Sequence, residues 1–230
     1  MNIWDPFHPF AYFLHTTLGV AGVLGAILAL SMTKGSGRHI LAGRTFAVAA
    51  AVAAGTAIAF SFTAFAPMAI ASSVLTVSSI GSAFLALRSK SPRVTASEVL
   101  TASLMAFAVI WLLAGVALSV PQGGLLWIPP LVLAGFAAAF LFNDIRFIRL
   151  DDIGRKAIRL QRHLSRMTFA FVVAVHAPIV VFADDLGIHP GIAFYCPFLI
   201  WPAIVLYFRT RLHRGLYNSI VMNRVNGSSG

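Results

Sequence analysis

Residues 155–185 read RKAIRLQRHLSRMTFAFVVAVHAPIVVFADD. The segment opens on Arg155, Lys156, Arg159, Arg162, His163 and Arg166, runs apolar to Phe182 with His176 as its one ionisable interruption, and closes on Asp184 and Asp185. A stretch that is basic at one end, apolar for a bilayer's thickness and acidic at the other crosses a membrane in a fixed direction. His176 sits where a polar group is costly, which makes it a candidate site residue by default.

The rest of the chain has the same character. Hydrophobic residues make up 59% of it and charged residues 10%, against about a quarter charged in soluble proteins. A soluble domain of 230 residues could not hide that much apolar surface, whereas a bilayer removes the need. Six further apolar runs approach the ~20 residues a span requires. The seven predicted spans cover residues 10–32, 40–65, 68–87, 99–120, 125–145, 164–182 and 191–208. Only Ala66-Pro67 divides the second from the third. That division is kept because an unbroken helix from Ile40 to Leu87 would overshoot any membrane, and proline is tolerated in a helix's first turn.

Charge tests the count. With seven spans, all 17 Lys and Arg residues fall into the segments after spans one, three, five and seven, and Asp5, Asp184 and Asp185 fall on the other side. By the positive-inside rule the N-terminus is outside and the C-terminus cytoplasmic. The net charge of +10 is therefore read as a topology determinant with attraction to membrane lipids, and no nucleic-acid partner is expected. The first apolar run lacks a preceding basic region and is expected to be retained. Cys196, the single cysteine, excludes an intrachain disulfide and is expected to be a packed thiol. The expected architecture is all-α: a polytopic seven-helix bundle over residues 1–225 in a bacterial cytoplasmic membrane, with residues 226–230, NGSSG, as a flexible tail.

Gly19, Gly22 and Gly25 in span one and AVAAAVAAGTA in span two allow close helix approach, the main route to packing in lipid. Ser72, Ser73, Ser78, Ser79 and Ser82 in span three are expected to bond backbone carbonyls one turn back, with a neighbouring helix as the alternative. Pro129 and Pro130 in span five, and Pro197 and Pro202 in span seven, predict kinks. Trp4, Trp127 and Trp201 fit interfacial anchoring.

His15, His39, Gly43 and Arg44 near the first turn, with Arg162, His163, Arg166 and Met167 late in the chain, carry a resemblance. The pattern resembles an uncharacterised family of bacterial multi-spanning membrane proteins. Such proteins have an early His, a His-x-x-x-Gly-Arg turn and an Arg-His-x-x-Arg-Met motif. The resemblance covers about a third of the chain and implies no activity. His176 is outside it.

Helix rise places His15 about 7 Å and His176 about 9 Å below the outer ends of their spans, at similar depth. Facing imidazoles in a bundle can hold haem b, copper or zinc, so His15 and His176 form one candidate cofactor site, with His8, Asp184, Asp185 and His189 outside as further metal ligands; the alternative is that the two imidazoles bond serines, threonines or carbonyls. A second pair, His39 and His163, lies near the cytosolic boundary. His163 and His176 are about 140° apart around one helix, which argues against two stacked haems. Arg159, His163 and Arg166, at i, i+4 and i+7, share a face near Arg44; that cluster can bind a phosphate or lipid headgroup, or pair with Asp144, Asp151 and Asp152. No phosphate-loop, nucleophile-elbow, zinc-protease or Cys-x-x-Cys motif occurs, and span seven has no lysine for a retinal Schiff base. Two readings stand. One is a redox or metal protein with an unidentified electron-transfer or protein partner; the other is a small transporter or lipid-binding accessory protein without a redox cofactor.

Overall fold

The structure, a computed structural model, describes residues 9–62, 67–88, 95–122 and 127–227, with side chains for these except 122, 190 and 211–227. The described residues form seven α-helices and no strand: α1 (Pro9–Ser31), α2 (Gly37–Ser61), α3 (Pro67–Leu87), α4 (Ala96–Ser119), α5 (Ile128–Arg149), α6 (Asp152–Val181) and α7 (Pro190–Gly227), with a 3-10 turn at Val120–Gln122. Each helix contains a window long and apolar enough to cross a membrane. Large apolar side chains such as Leu41, Val48, Ile110, Phe142 and Leu199 face outward on several helices. Such a surface is compatible with lipid and costly in water.

α3 lies at the centre. It packs against α2, α4 and α6, while α1 packs on α2, α5 on α4 and α7 on α6. The physical reason is its run of Ala, Ser and Gly, which lets three neighbours approach at once; Ala71, Ser78, Ser79, Ser82, Ala83 and Ala86 are all fully buried. The α1–α2 contact uses the same device. A Cβ on Gly25 would stand 3.0 Å from the Phe46 amide nitrogen and 3.1 Å from the Ala42 carbonyl oxygen, so backbone meets backbone there. Gly22 also faces α2, whereas Gly19 faces open space. α5 and α6 meet differently, chiefly through long side chains that fill a wider gap.

Several local expectations change. Pro129 and Pro130 occupy the first turn of α5, where the missing N–H groups have no helical partner to lose, so they start the helix instead of kinking it. Pro197 and Pro202 do lie inside α7. α6 begins at Asp152, twelve residues before the apolar span, because a helix needs no apolar residues where its turns are solvated. Asp151 caps it, accepting from the Gly154 amide at 2.8 Å. α7 runs to Gly227, so Asn226 and Gly227 extend the helix, and 228–230 lie outside the described residues. Trp201 is packed among Phe136, Phe140 and Phe169 and donates Nε1–H to Thr168 Oγ1 at 3.2 Å. It is half-buried against the core, while Trp4 lies outside the described residues. Cys196 is exposed rather than packed.

All described Lys and Arg residues gather at one end of the bundle, called here the basic end; Asp184 and Asp185 follow α6 at the other. Lys34 finishes α1 at the basic end by donating to the Ala29 and Leu30 carbonyls at 2.9 and 2.7 Å, over the Phe208 ring of α7. Cations are favoured at a helix C-terminus; desolvation there lowers the Lys34 pKa from the ordinary lysine value.

Candidate functional site: a buried ion cluster at the basic end

The sequence order of α6 places Arg162, Arg166, Phe169, Val173 and His176 at alternating steps of four and three, which is one face of a helix. All five are buried. From Arg162 to Phe169 that face looks across the wide gap to α5 and at its basic end meets Asp144, while Phe169 and His176 also meet rings of α7. Arg162 Nη2 lies 2.8 Å from Asp144 Oδ1 and Arg166 Nη2 2.6 Å from the same oxygen. Arg162 Nε and Ser82 Oγ of α3 also donate to Oδ1, each at 3.2 Å. Arg166 Nη2 further donates to the Phe140 carbonyl at 2.8 Å. The guanidiniums lie over aromatic rings, Arg162 at 3.9 Å from the Phe147 centroid and Arg166 at 4.0 Å from that of Phe140.

Exposure decides what kind of cluster this is. Asp144 is 0% exposed, Arg166 1% and Arg162 6%. These charges are out of water and out of lipid, where an ion is costly unless paired. Pairing is incomplete: two cations face one anion, and Asp144 Oδ2, Arg162 Nη1, Arg166 Nη1 and the Oγ of Ser79 are buried without a protein partner. Ser79 is one turn from Ser82 on α3, hence on the same face. Three of the five such atoms among the described residues thus belong to the Asp144 cluster itself, and a fourth, Ser79 Oγ, lies one helical turn along α3 from its Ser82.

The expected anion cluster of Arg44, Arg159, His163 and Arg166 is divided by the structure. Arg166 turns inward to Asp144, with Arg162 in place of Arg159 as its companion. Arg159 is half-buried and Arg44 exposed. Asp151 serves as a helix cap. His163 faces α3 instead, its Nδ1–H donating to the Ala83 carbonyl at 3.1 Å. His39 does the same to the Ala29 carbonyl at 2.9 Å. Arg162 and the two serines are the residues that a search for shared faces misses. Their signal is that α6 has two seams, one toward α3 and one toward α5, set by the i, i+4 pair Arg162–Arg166. The serines divide as well. Ser72 and Ser78 bond carbonyls of α3 itself, Ser82 reaches α5, and Ser79 has no protein partner.

The histidines of the other half have separate surroundings. His15 Nδ1 lies 2.8 Å from Thr56 Oγ1 of α2, and the Thr56 hydroxyl donates to the Ala53 carbonyl at 2.7 Å. With that proton committed, Nδ1–H is the donor and His15 Nε2 keeps its lone pair, the tautomer a metal ligand needs. His176 lies between the Phe194 and Phe198 rings of α7, 4.8 and 4.9 Å between centroids, with Nε2 unpartnered. The α6 residues that pack with α1 and α2 are Met167, Ala170, Phe171 and Ala174, on a different face from His176. Among the described residues no hydrogen bond or ring contact joins His15 to His176. Asp184, Asp185 and His189 are exposed, and His8 lies outside the described residues; His189 Nδ1 accepts from the Gly191 amide at 3.1 Å. Among the described residues no group of three His, Cys, Asp or Glu is placed to hold a metal ion. The chain matches no protein-family model, no curated protein and no solved structure.

Proposed function

We propose that the chain is a small multi-pass transporter of a bacterial cytoplasmic membrane, N-terminus outside and C-terminus in the cytosol, with the Asp144–Arg162–Arg166 cluster as its working centre. The observation that carries this reading is the burial of three charges, only partly paired, where α3, α5 and α6 meet. Ionisable groups inside a membrane bundle are rare and costly, and they mark solute and ion pathways. The placement of every Lys and Arg supports this orientation and, with it, a cluster in the cytosolic half. A lipid-binding accessory role has less support, because a headgroup site would open to lipid and both guanidiniums are turned from it. The haem or metal reading also has less support, since His15 and His176 have different partners.

Solute entry into proteoliposomes tests the proposal, followed as osmotic swelling in ammonium salts beside the visible spectrum of the same preparation. Swelling faster than in protein-free vesicles, and lost in Arg166→Gln, is the expected result. Absence of protein-dependent entry together with a Soret band that disappears in His15→Ala and His176→Ala would give the redox reading first place.

A further inference from the structure

Resting on that reading, the unmatched atoms of the cluster point to its ligand: we propose that Arg162, Arg166, Ser79 and Asp144 bind a small oxyanion that still carries a proton, such as hydrogencarbonate or dihydrogen phosphate. The charge count requires an anion. Two guanidiniums face a single carboxylate, and a buried surplus cation is stabilised by a charge partner more than by any neutral group.

The hydrogen-bond count narrows the class. Every bond that Asp144 accepts falls on Oδ1: two from Arg162, one from Ser82 and the contact with Arg166. Oδ2 therefore lacks a donor, while Arg162 Nη1 and Arg166 Nη1 lack acceptors. Both Nη2 atoms converge on Oδ1, so each Nη1 lies one guanidinium width beyond an Nη2 that touches this oxygen, and Oδ2 lies one carboxylate width to its side. A ligand that satisfies all of them needs acceptor oxygens for two guanidiniums and an O–H for the carboxylate. Hydrogencarbonate and dihydrogen phosphate have both. Nitrate and chloride have no donor, and the phosphodiester of a lipid has no acidic O–H. The Ser79 hydroxyl completes the set from α3, donating or accepting as the ligand requires. The α5–α6 interface beside the cluster is held by side chains rather than by close backbone contact.

Thermal unfolding and calorimetric titration of the full chain in phosphatidylcholine nanodiscs test the site. The probes are sodium hydrogencarbonate, dihydrogen phosphate at mildly acidic pH, nitrate and chloride. The first two are expected to raise the melting temperature and to bind saturably, and nitrate and chloride to do neither. Arg166→Gln should weaken binding about tenfold or more, the equivalent of one charge-assisted hydrogen bond. Should that variant fail to fold, Ser79→Ala removes a buried hydroxyl without removing a charge. It should fold as the parent does and bind the protonated oxyanions several-fold more weakly. Equal stabilisation by all four anions, or binding unchanged in Ser79→Ala and Arg166→Gln, overturns the proposal. So does stabilisation that appears only in phosphatidylglycerol nanodiscs, which would make the ligand a headgroup. Binding without flux would sink the transporter reading and leave the site; flux without binding would do the reverse.

Discussion

Asp144→Asn is the sharpest perturbation the structure offers, because it changes one charge and almost no shape. In the parent the carboxylate is 0% exposed and holds two guanidiniums that are 1% and 6% exposed. Removing one partner of a buried ion cluster leaves the others charged, desolvated and unpaired, which costs about 3–5 kcal/mol. The amide can still accept from Ser82 and one guanidinium, so the lower end of that range, about 3 kcal/mol, is expected. Replacing all three members together should cost far less. Asp144→Leu with Arg162→Met and Arg166→Met exchanges the ions for apolar volume, and such exchanges are often neutral or stabilising. The assay is unfolding in mixed micelles with increasing denaturing detergent, read by far-ultraviolet circular dichroism, on the single and triple variants. Strong non-additivity is the expected signature of groups acting as one unit. A loss within about 0.5 kcal/mol for Asp144→Asn, the range of an ordinary surface substitution, would mean that water reaches the guanidiniums and would refute the closed cluster.

Three further outcomes follow from other parts of the molecule. Gly25→Ala should destabilise by about 1–3 kcal/mol, the usual cost of overpacking, since its Cβ would meet backbone atoms at 3.0 and 3.1 Å; Gly22→Ala, at 3.5 Å, should be nearly neutral in the same unfolding assay. Thr56→Val should cost about 1 kcal/mol in the same unfolding assay by removing the partner of His15; no measurable loss would mean that this hydrogen bond does not hold the imidazole. After Cys196, which is exposed, is replaced by Ser, cysteines introduced at residues 121–124 or at Asp184 should react with an impermeant thiol reagent in intact cells. Those at Arg93 or Arg155 should not; the opposite pattern would reverse the orientation.

The number of helices was legible because composition and charge spacing act over whole spans, and no tertiary detail is needed to read them. Pro67 shows the same logic at a boundary, since the breaker that divided two apolar runs is the first residue of α3. Elements whose limits depend on solvation or capping were less legible. α6 starts twelve residues early because a charged turn can be helical, and the paired prolines of α5 sit harmlessly in its first turn. The site was only half visible. Arg166 and the pairing with Asp144 could be anticipated, but depth and helical angle on a single helix do not say which neighbour each face will meet. That information depends on α3, whose small residues draw α6 in on one side and leave the α5 side open to long side chains. His163 and Arg166, three residues apart, consequently serve different helices. The same angle that separates His163 from His176 puts His176 in line with Arg162 and Arg166. The inner face of α6 thus carries its ionisable groups at two depths, with Phe169 and Val173 closing the space between them.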